Sequence, residues 1–178
     1  MGRAWLLTGR PGVGKTTALR RALALLDRPA GGFFTAEMRR GGARVGFAIE
    51  TLDGRRATLA HVERKGSPRV GKYGVDVETL DRLGVPALRS AIEAGRLVVI
   101  DEIGKMEMAS AAFRDAVEAA LRSRAPILGT ILRQPHPWAD RIKAAHGVTV
   151  IEVTPANRDG LPAVLLDRLG RGGYQGPP

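Results

Sequence analysis

Residues 9–17 read Gly9-Arg10-Pro11-Gly12-Val13-Gly14-Lys15-Thr16-Thr17, with the apolar Ala4-Trp5-Leu6-Leu7 just before them. Glycines at three of these positions can adopt backbone angles closed to a residue with a Cβ, which lets successive N–H groups turn toward one anion. The spacing Gly, four residues, Gly-Lys-Thr is that of a loop that cradles a polyphosphate. Lys15 supplies a mobile cation for the β- and γ-phosphates, and the Thr16 hydroxyl is placed to ligate Mg²⁺. A helix starting here aims its positive dipole end at the same anion. The implied ligand is a nucleoside triphosphate with magnesium, bound by Gly9, Arg10, Pro11, Gly12, Val13, Gly14, Lys15, Thr16 and Thr17.

A second constellation is Leu97-Val98-Val99-Ile100-Asp101-Glu102, four apolar residues that end in two carboxylates. Such a run suits a strand buried on both faces of a parallel sheet, and open α/β sheets bind ligands at the carboxyl ends of their strands. Asp101 is the expected acidic partner of the loop, holding the metal together with Thr16. Glu102 is expected to orient or deprotonate the attacking water, and it joins Lys15 as the catalytic pair. Four further positions carry two readings each. Arg69, within Arg69-Val70-Gly71-Lys72-Tyr73, belongs to a mobile flap or to an ordinary solvated loop. Thr130 senses the γ-phosphate or, the preferred reading, is a strand threonine bonded to backbone. Asn157 meets the base or caps a turn, and Arg158 supplies transition-state charge or is solvated surface.

These groups need elements to hold them. Leu19, Leu23 and Leu26 recur at helical spacing after the loop. Residues 31–38 and 44–51 read as a hairpin about Gly41-Gly42, with Val45, Phe47, Ile49 and Thr51 on one face. Asp53-Gly54 turns the chain into a strand over 57–62, and residues 63–74 read as loop. Asp76 is expected to cap a short helix ending near Gly84, with another opening at Pro86 and stopping at Gly95. Ser110 caps a helix whose Phe113, Val117 and Leu121 share a face. Residues 127–132 form a buried strand. Trp138 and Ile142 mark a short helix ending at Gly147, with Trp138 read as packing. Residues 148–153 are the last strand, and Leu161, Leu165 and Leu169 the last helix. The expected fold is α/β: one domain over residues 1–169, a mostly parallel doubly wound sheet with helices on both faces, and an antiparallel β extension. Residues 170–178 are expected to be a disordered Gly/Pro-rich tail. The distance between the two motifs leaves room for a further strand between their strands.

Composition narrows the class. The 178 residues contain no cysteine, which excludes disulfides and thiolate metal sites and agrees with a cytoplasmic setting. His61, His136 and His146 are far apart, so magnesium is the one metal implied. No apolar run approaches the roughly 20 residues that cross a bilayer, and no secretory leader is expected. The net charge of +10 comes mainly from scattered arginines without interleaved aromatics, so nucleic acid is not the favoured partner. Self-assembly need not be assumed; the oligomeric state is open, with a monomer a plausible form.

With these residues in view, the chain resembles the small nucleoside-triphosphatase family of thermophilic microbes and of the human cancer-related nucleoside-triphosphatase. The match rests on the loop over residues 9–17, Gly32-Phe33-Phe34-Thr35, Arg69-Val70-Gly71 with Tyr73, Gly129-Thr130-Ile131 and Asn157-Arg158. Its most specific part is Asp101-Glu102-Ile103-Gly104-Lys105-Met106-Glu107. The resemblance implies Mg²⁺-dependent hydrolysis of ATP, GTP, CTP, UTP and dNTPs to diphosphate and phosphate. It also implies that Leu97, Val98, Val99, Ile100, Asp101, Glu102, Ile103 and Gly104 line the nucleotide site. Met108 stands where the family often has leucine, and residues 134–138 match less closely. The residues alone leave open a nucleotide or polynucleotide kinase, or a nucleotide-gated binding module.

Overall fold

Alternating apolar residues dictate where the first strand lies: Trp5 and Leu7 face one helical layer, Ala4 and Leu6 the other, and all four are buried. This strand, β1 (Ala4–Thr8), sits inside a sheet of nine strands among the described residues. The computed structural model describes residues 3–170. β9 (Val148–Glu152), β1, β8 (Ile127–Ile131), β7 (Leu97–Ile103) and β2 (Ala30–Arg40) run parallel. β8 lies between β1 and β7, which is the extra strand expected between the two motifs.

Helices α1 (Lys15–Ala24) and α6 (Leu161–Gly170) cover one face around Leu7, Leu19, Val99 and Leu165. The other face carries α3 (Val85–Glu93), α4 (Ala111–Arg122) and α5 (Pro137–Lys143) around Phe33, Phe113 and Ile100. Ser110 caps α4 by accepting the Phe113 N–H at 2.9 Å. Gly170, assigned to the tail from the sequence, is the last residue of α6, and residues 171–178 lie outside the described part.

Beyond β2 the sheet turns antiparallel through β3 (Ala43–Thr51), β4 (Arg56–His61), β6 (Tyr73–Val75) and β5 (Arg69–Val70). Two expectations need correction here. Residues 69–75 are a small hairpin, not loop: the Tyr73 ring packs edge-on against Phe47 at 5.2 Å and anchors a segment too short to show a strand pattern. On β3, Phe47 and Ile49 keep to one face as expected, paired in unbroken register with Glu37 and Thr35 of β2; the bulge opposite Phe47/Ala48 lies on β4, whose Ala60 and Thr58 are the partners there. Second, the two helices expected on either side of Gly84 are continuous. Asp76 caps α2 (Val77–Thr79), a π-helical turn over Leu80–Gly84 follows, and α3 continues from it. The Val85 N–H reaches back five residues to the Leu80 carbonyl. At Gly84 a Cβ would stand 2.7 Å from Leu80 Cδ1 and 2.9 Å from Ile49 Cδ1, so the turn packs closely on the sheet there.

Candidate active site

The loop between β1 and α1 takes its shape from three glycines in the left-handed half of backbone space, Gly9, Gly12 and Gly14, at φ 147°, 76° and 112°. At Gly9 a Cβ would stand 2.8 Å from the Val153 carbonyl, so the loop rests directly on the end of the β9 segment. Gly14 is the N-cap of α1 and offers no side chain to the first-turn N–H groups, which leaves that turn to an anion. Lys15 Nζ donates to the Gly9 and Arg10 carbonyls at 3.2 and 3.3 Å, which folds its ammonium over the loop it would leave for a phosphate.

Across from the loop, β7 delivers its carboxylates. Thr16 Oγ1 donates to Asp101 Oδ2 at 2.8 Å. Thr130 Oγ1 donates to the other oxygen, Oδ1, at 2.6 Å, so the preferred backbone-bonded reading of Thr130 is corrected. The register explains it: Ile100 is paired with Gly129, which brings the next residue on each strand together. A Cβ on Gly129 would come 2.5 Å from the Ile100 carbonyl, so glycine there lets β8 close on β7. The signal in the sequence was a lone polar residue in an apolar strand.

Asp101 is 2% exposed, and burial pushes its carboxyl up from the ordinary range. The hydroxyls of Thr130 and Thr16, then the charges of Arg20 and Lys15, pull it back down. Glu102 is also raised by burial, with Lys15 lowering it and Asp101 raising it further. A glutamate held above its usual range beside a cation is suited to accept a proton. Glu107, not singled out as a site residue from the sequence, is buried on the 3-10 turn Glu107–Ala109. Burial, and next the Glu102 charge, push it up to about 8. Both glutamates flank Gly104, where a Cβ would be 2.9 Å from Glu107 Oε2 and 3.3 Å from Glu102 Cδ. Arg20 was also missed. It lies one turn beyond Thr16, stacks over Phe34 at 4.1 Å and pairs with Glu50 at 3.0 Å.

Other expected site residues fall elsewhere. Leu97, Val98, Val99 and Ile100 have no accessible surface, so they set the strand in place and cannot touch a nucleotide. Ile103 is buried too, at 1%. The Arg69 guanidinium is taken up by the Arg64 and Lys72 carbonyls at 2.9 and 2.6 Å and braces its own hairpin. The Asn157 amide accepts the Thr154 N–H and donates to the Glu152 carbonyl, at 2.9 and 2.8 Å, which locks the turn after β9. Arg158 does reach the loop: its Nη1 lies 3.5 Å from the Val13 carbonyl, and its Cδ is 3.5 Å from where a Gly14 Cβ would stand.

Among the described residues no three His, Cys, Asp or Glu side chains form a metal cage. A hydroxyl and a carboxylate in contact at a phosphate loop fit Mg²⁺ instead, since it keeps water and substrate phosphates among its oxygen ligands. Thr16 and Asp101 are the residues that would hold it.

A family model described as "NTPase" matches residues 4–166. The nucleoside-triphosphatase THEP1 of Thermotoga petrophila is 45% identical over 161 residues, covering 90% of this chain and 89% of that protein. The THEP1 of Methanosarcina acetivorans is 43% identical over 171 residues, covering 93% and 95%. Two solved structures superpose on the fold. The crystal structure of THEP1 from the hyperthermophile Aquifex aeolicus does so at TM-score 0.86, with 36% identity, covering 93% of this chain and 98% of that one. The solution structure of a human cancer-related nucleoside triphosphatase does so at 0.83, with 37% identity, covering 98% and 100%. A phosphate loop facing an Asp-Glu strand end, on a sheet shared with these proteins, shows that the chain belongs to the NTPase family, that of the THEP1 nucleoside-triphosphatases.

Proposed function

We propose that this chain hydrolyses nucleoside triphosphates to nucleoside diphosphate and phosphate, with Mg²⁺ as cofactor and little selection of the base. The observation that carries the reading is the contact between Thr16 and Asp101, which joins the phosphate loop to the catalytic strand end. The loop N–H groups and the α1 N-terminus hold the β- and γ-phosphates, and Lys15 swings from the Gly9 and Arg10 carbonyls onto them. Mg²⁺, when bound, adds charge neutralisation at the β- and γ-phosphate oxygens.

Glu102 orients a water in line with the γ-phosphorus. The water oxygen bonds to phosphorus, the bond to the β–γ bridging oxygen breaks, and the water proton passes by way of Glu102 to the released phosphate. Arg158, already against the loop, is the arginine placed to add positive charge in cis. A cytoplasmic setting belongs to the same reading, in keeping with the absence of cysteine and with no helix among the described residues long and apolar enough to cross a membrane.

Phosphate release from ATP, GTP, CTP, UTP and dNTPs, with Mg²⁺ and with EDTA, tests it. Release from all of them with Mg²⁺ alone is expected. Turnover only after a nucleotide or polynucleotide acceptor is added, with label moving to that acceptor, would instead identify a kinase.

A further inference from the structure

A cavity of about 420 Å³ opens at the end of the sheet opposite the phosphate loop, where β1 and β9 begin. Its lining is Arg3, Trp5, Gly147, Val148, Thr149 and Arg168. The strand period explains why these residues meet. Arg3 and Trp5 are two positions apart on extended backbone, so both project to one face of the sheet. Thr149 is the partner of Trp5 in the parallel register, which puts it on that face too. α6 covers the same face through Leu165 and Leu169, and its last turn brings in Arg168.

The side chains with polar atoms in this lining are all hydrogen-bond donors. Arg3 and Arg168 are exposed, and neither guanidinium has a hydrogen bond or ion pair among the described residues. Arginines elsewhere, such as Arg20, Arg44 and Arg64, do have carboxylate partners. Trp5 is only 5% exposed, yet its indole N–H has no partner among the described residues, whereas that of Trp138 donates to Glu118 at 2.9 Å. A buried indole N–H usually finds an acceptor. The Thr149 hydroxyl is unengaged as well, and no Asp or Glu among the described residues lines the cavity. Arg168, in the last turn of α6, also suits the negative end of the helix dipole. That accounts for neither Arg3 nor the unmatched indole N–H.

We infer that this cavity is a second anion site, separate from the phosphate loop, and that its ligand is a small molecule bearing a phosphate group. Two like charges share one cavity without a counter-ion from the described chain, an arrangement that a bound anion relieves. Guanidinium forks match phosphate oxygens in pairs, and a tetrahedral oxyanion has further oxygens for the indole N–H and the Thr149 hydroxyl. A planar carboxylate offers fewer. The volume is that of a small-molecule site and leaves room for a diphosphate or a phosphate ester lying against Val148. The site stands whether or not the chain hydrolyses triphosphates.

Calorimetric titration of the full chain with pyrophosphate, inorganic phosphate and acetate, in EDTA and at constant ionic strength, tests this. Lys15→Ala serves as the background, so that the phosphate loop contributes little binding. One pyrophosphate per chain is expected, held more tightly than phosphate and roughly tenfold or more above acetate. Arg3→Gln and Arg168→Gln should each weaken pyrophosphate by roughly tenfold, the worth of one charge-assisted bond. Both side chains are exposed, so folding is not at issue. Trp5→Phe keeps an aromatic ring and deletes the N–H, and should weaken pyrophosphate by roughly threefold, with a thermal melt to show that it folds. With Lys15 intact, phosphate release from ATP by the two arginine variants should match that of the parent. The inference is overturned if Lys15→Ala binds no pyrophosphate, if the arginine variants bind it as the background does, or if acetate binds equally well. Loss of ATP turnover in the arginine variants would also overturn it, because the two residues would then belong to the catalytic site.

Discussion

Thr16 and Asp101 stand 85 positions apart in the chain and meet through a 2.8 Å hydrogen bond from the threonine hydroxyl to Oδ2. Thr16 lies in the first turn of α1 and Asp101 near the carboxyl end of β7, so the sheet and the helix fix the distance between them. If this pair holds Mg²⁺, Asp101→Asn should keep the hydroxyl contact and lose the charge. Phosphate release should fall on the order of a hundredfold, and the remainder should need more Mg²⁺, because metal positioning supplies several kcal/mol. A magnesium titration of activity, with nucleotide binding in EDTA as control, checks it; an unchanged magnesium requirement would remove Asp101 from the site.

Thr130 supports the same carboxylate from the other side, and its hydroxyl is fully buried. Thr130→Val keeps the shape and deletes the bond, so it should cost roughly 1.5–3 kcal/mol of stability, the range for a hydrogen bond to a charged group. Without that donor the Asp101 carboxyl rises further, and the acid limb of the activity profile should move to higher pH. Thr130→Ser should restore both thermal stability and the profile. Equal behaviour of the valine and serine variants would show that the hydroxyl does nothing.

Why Thr130 was misjudged marks the limit of sequence reasoning for this fold. The loop over residues 9–17 is legible because its chemistry is local, glycine angles and a helix start within nine residues. The buried strand of Leu97 to Ile100 is equally plain, since both of its faces are covered. Thr130 meets Asp101 only through the register of β7 on β8, and register is a tertiary property that no residue spacing encodes. Arg69 shows the same limit: its local sequence left a mobile flap and an ordinary solvated loop both open, and only the fold shows backbone carbonyls nearby engaging the guanidinium. The π-helical turn at Leu80–Gly84 was hidden for a further reason. Glycine and proline are the usual marks of a helix end, and here Gly84 packs closely against Ile49 of the sheet while Pro86 sits in the first turn of α3 without breaking the run.

Lys15 and Glu102 should separate binding from chemistry. Lys15→Ala removes charge that the phosphates meet in both ground and transition state, so nucleotide binding and turnover should fall together. Glu102→Gln keeps the size of a water-orienting group and loses its basicity, so binding should persist while turnover drops roughly 10²–10⁴-fold. Calorimetric binding beside single-turnover phosphate release distinguishes them. A Glu102→Gln protein that turns over at the parent rate would mean that another group handles the water.

Gly32 sets the contact between β2 and β7. Its φ is +119°, and a Cβ there would fall 2.0 Å from the Val99 carbonyl oxygen, so both strain and collision oppose any side chain. Gly32→Ala should therefore cost about 3 kcal/mol or more in thermal or denaturant unfolding. Gly12→Ala is the contrast. It shares a positive φ, at +76°, but has open space around it, so its larger effect should be on nucleotide affinity. If the two variants unfold alike, the crowding at Gly32 is not what holds the glycine there.

Glu107 gives the nucleotide-free and metal-free protein a stability that declines as pH rises. Its carboxyl goes from an ordinary 4.5 to about 8 on folding, through burial and the nearby Glu102 charge. A folded-state value above the unfolded one means that the native state binds the extra proton between those limits. The stabilisation is complete below about 4.5 and is lost as pH climbs through about 8. One such group contributes a slope of roughly 1 kcal/mol per pH unit across that window. Glu107→Gln, which stays neutral throughout, should flatten the slope and stand above the parent at the alkaline end. Urea midpoints across the window decide the matter: a flat parent profile, or a glutamine variant with the parent's slope, would show that Glu107 is ionised in the folded chain.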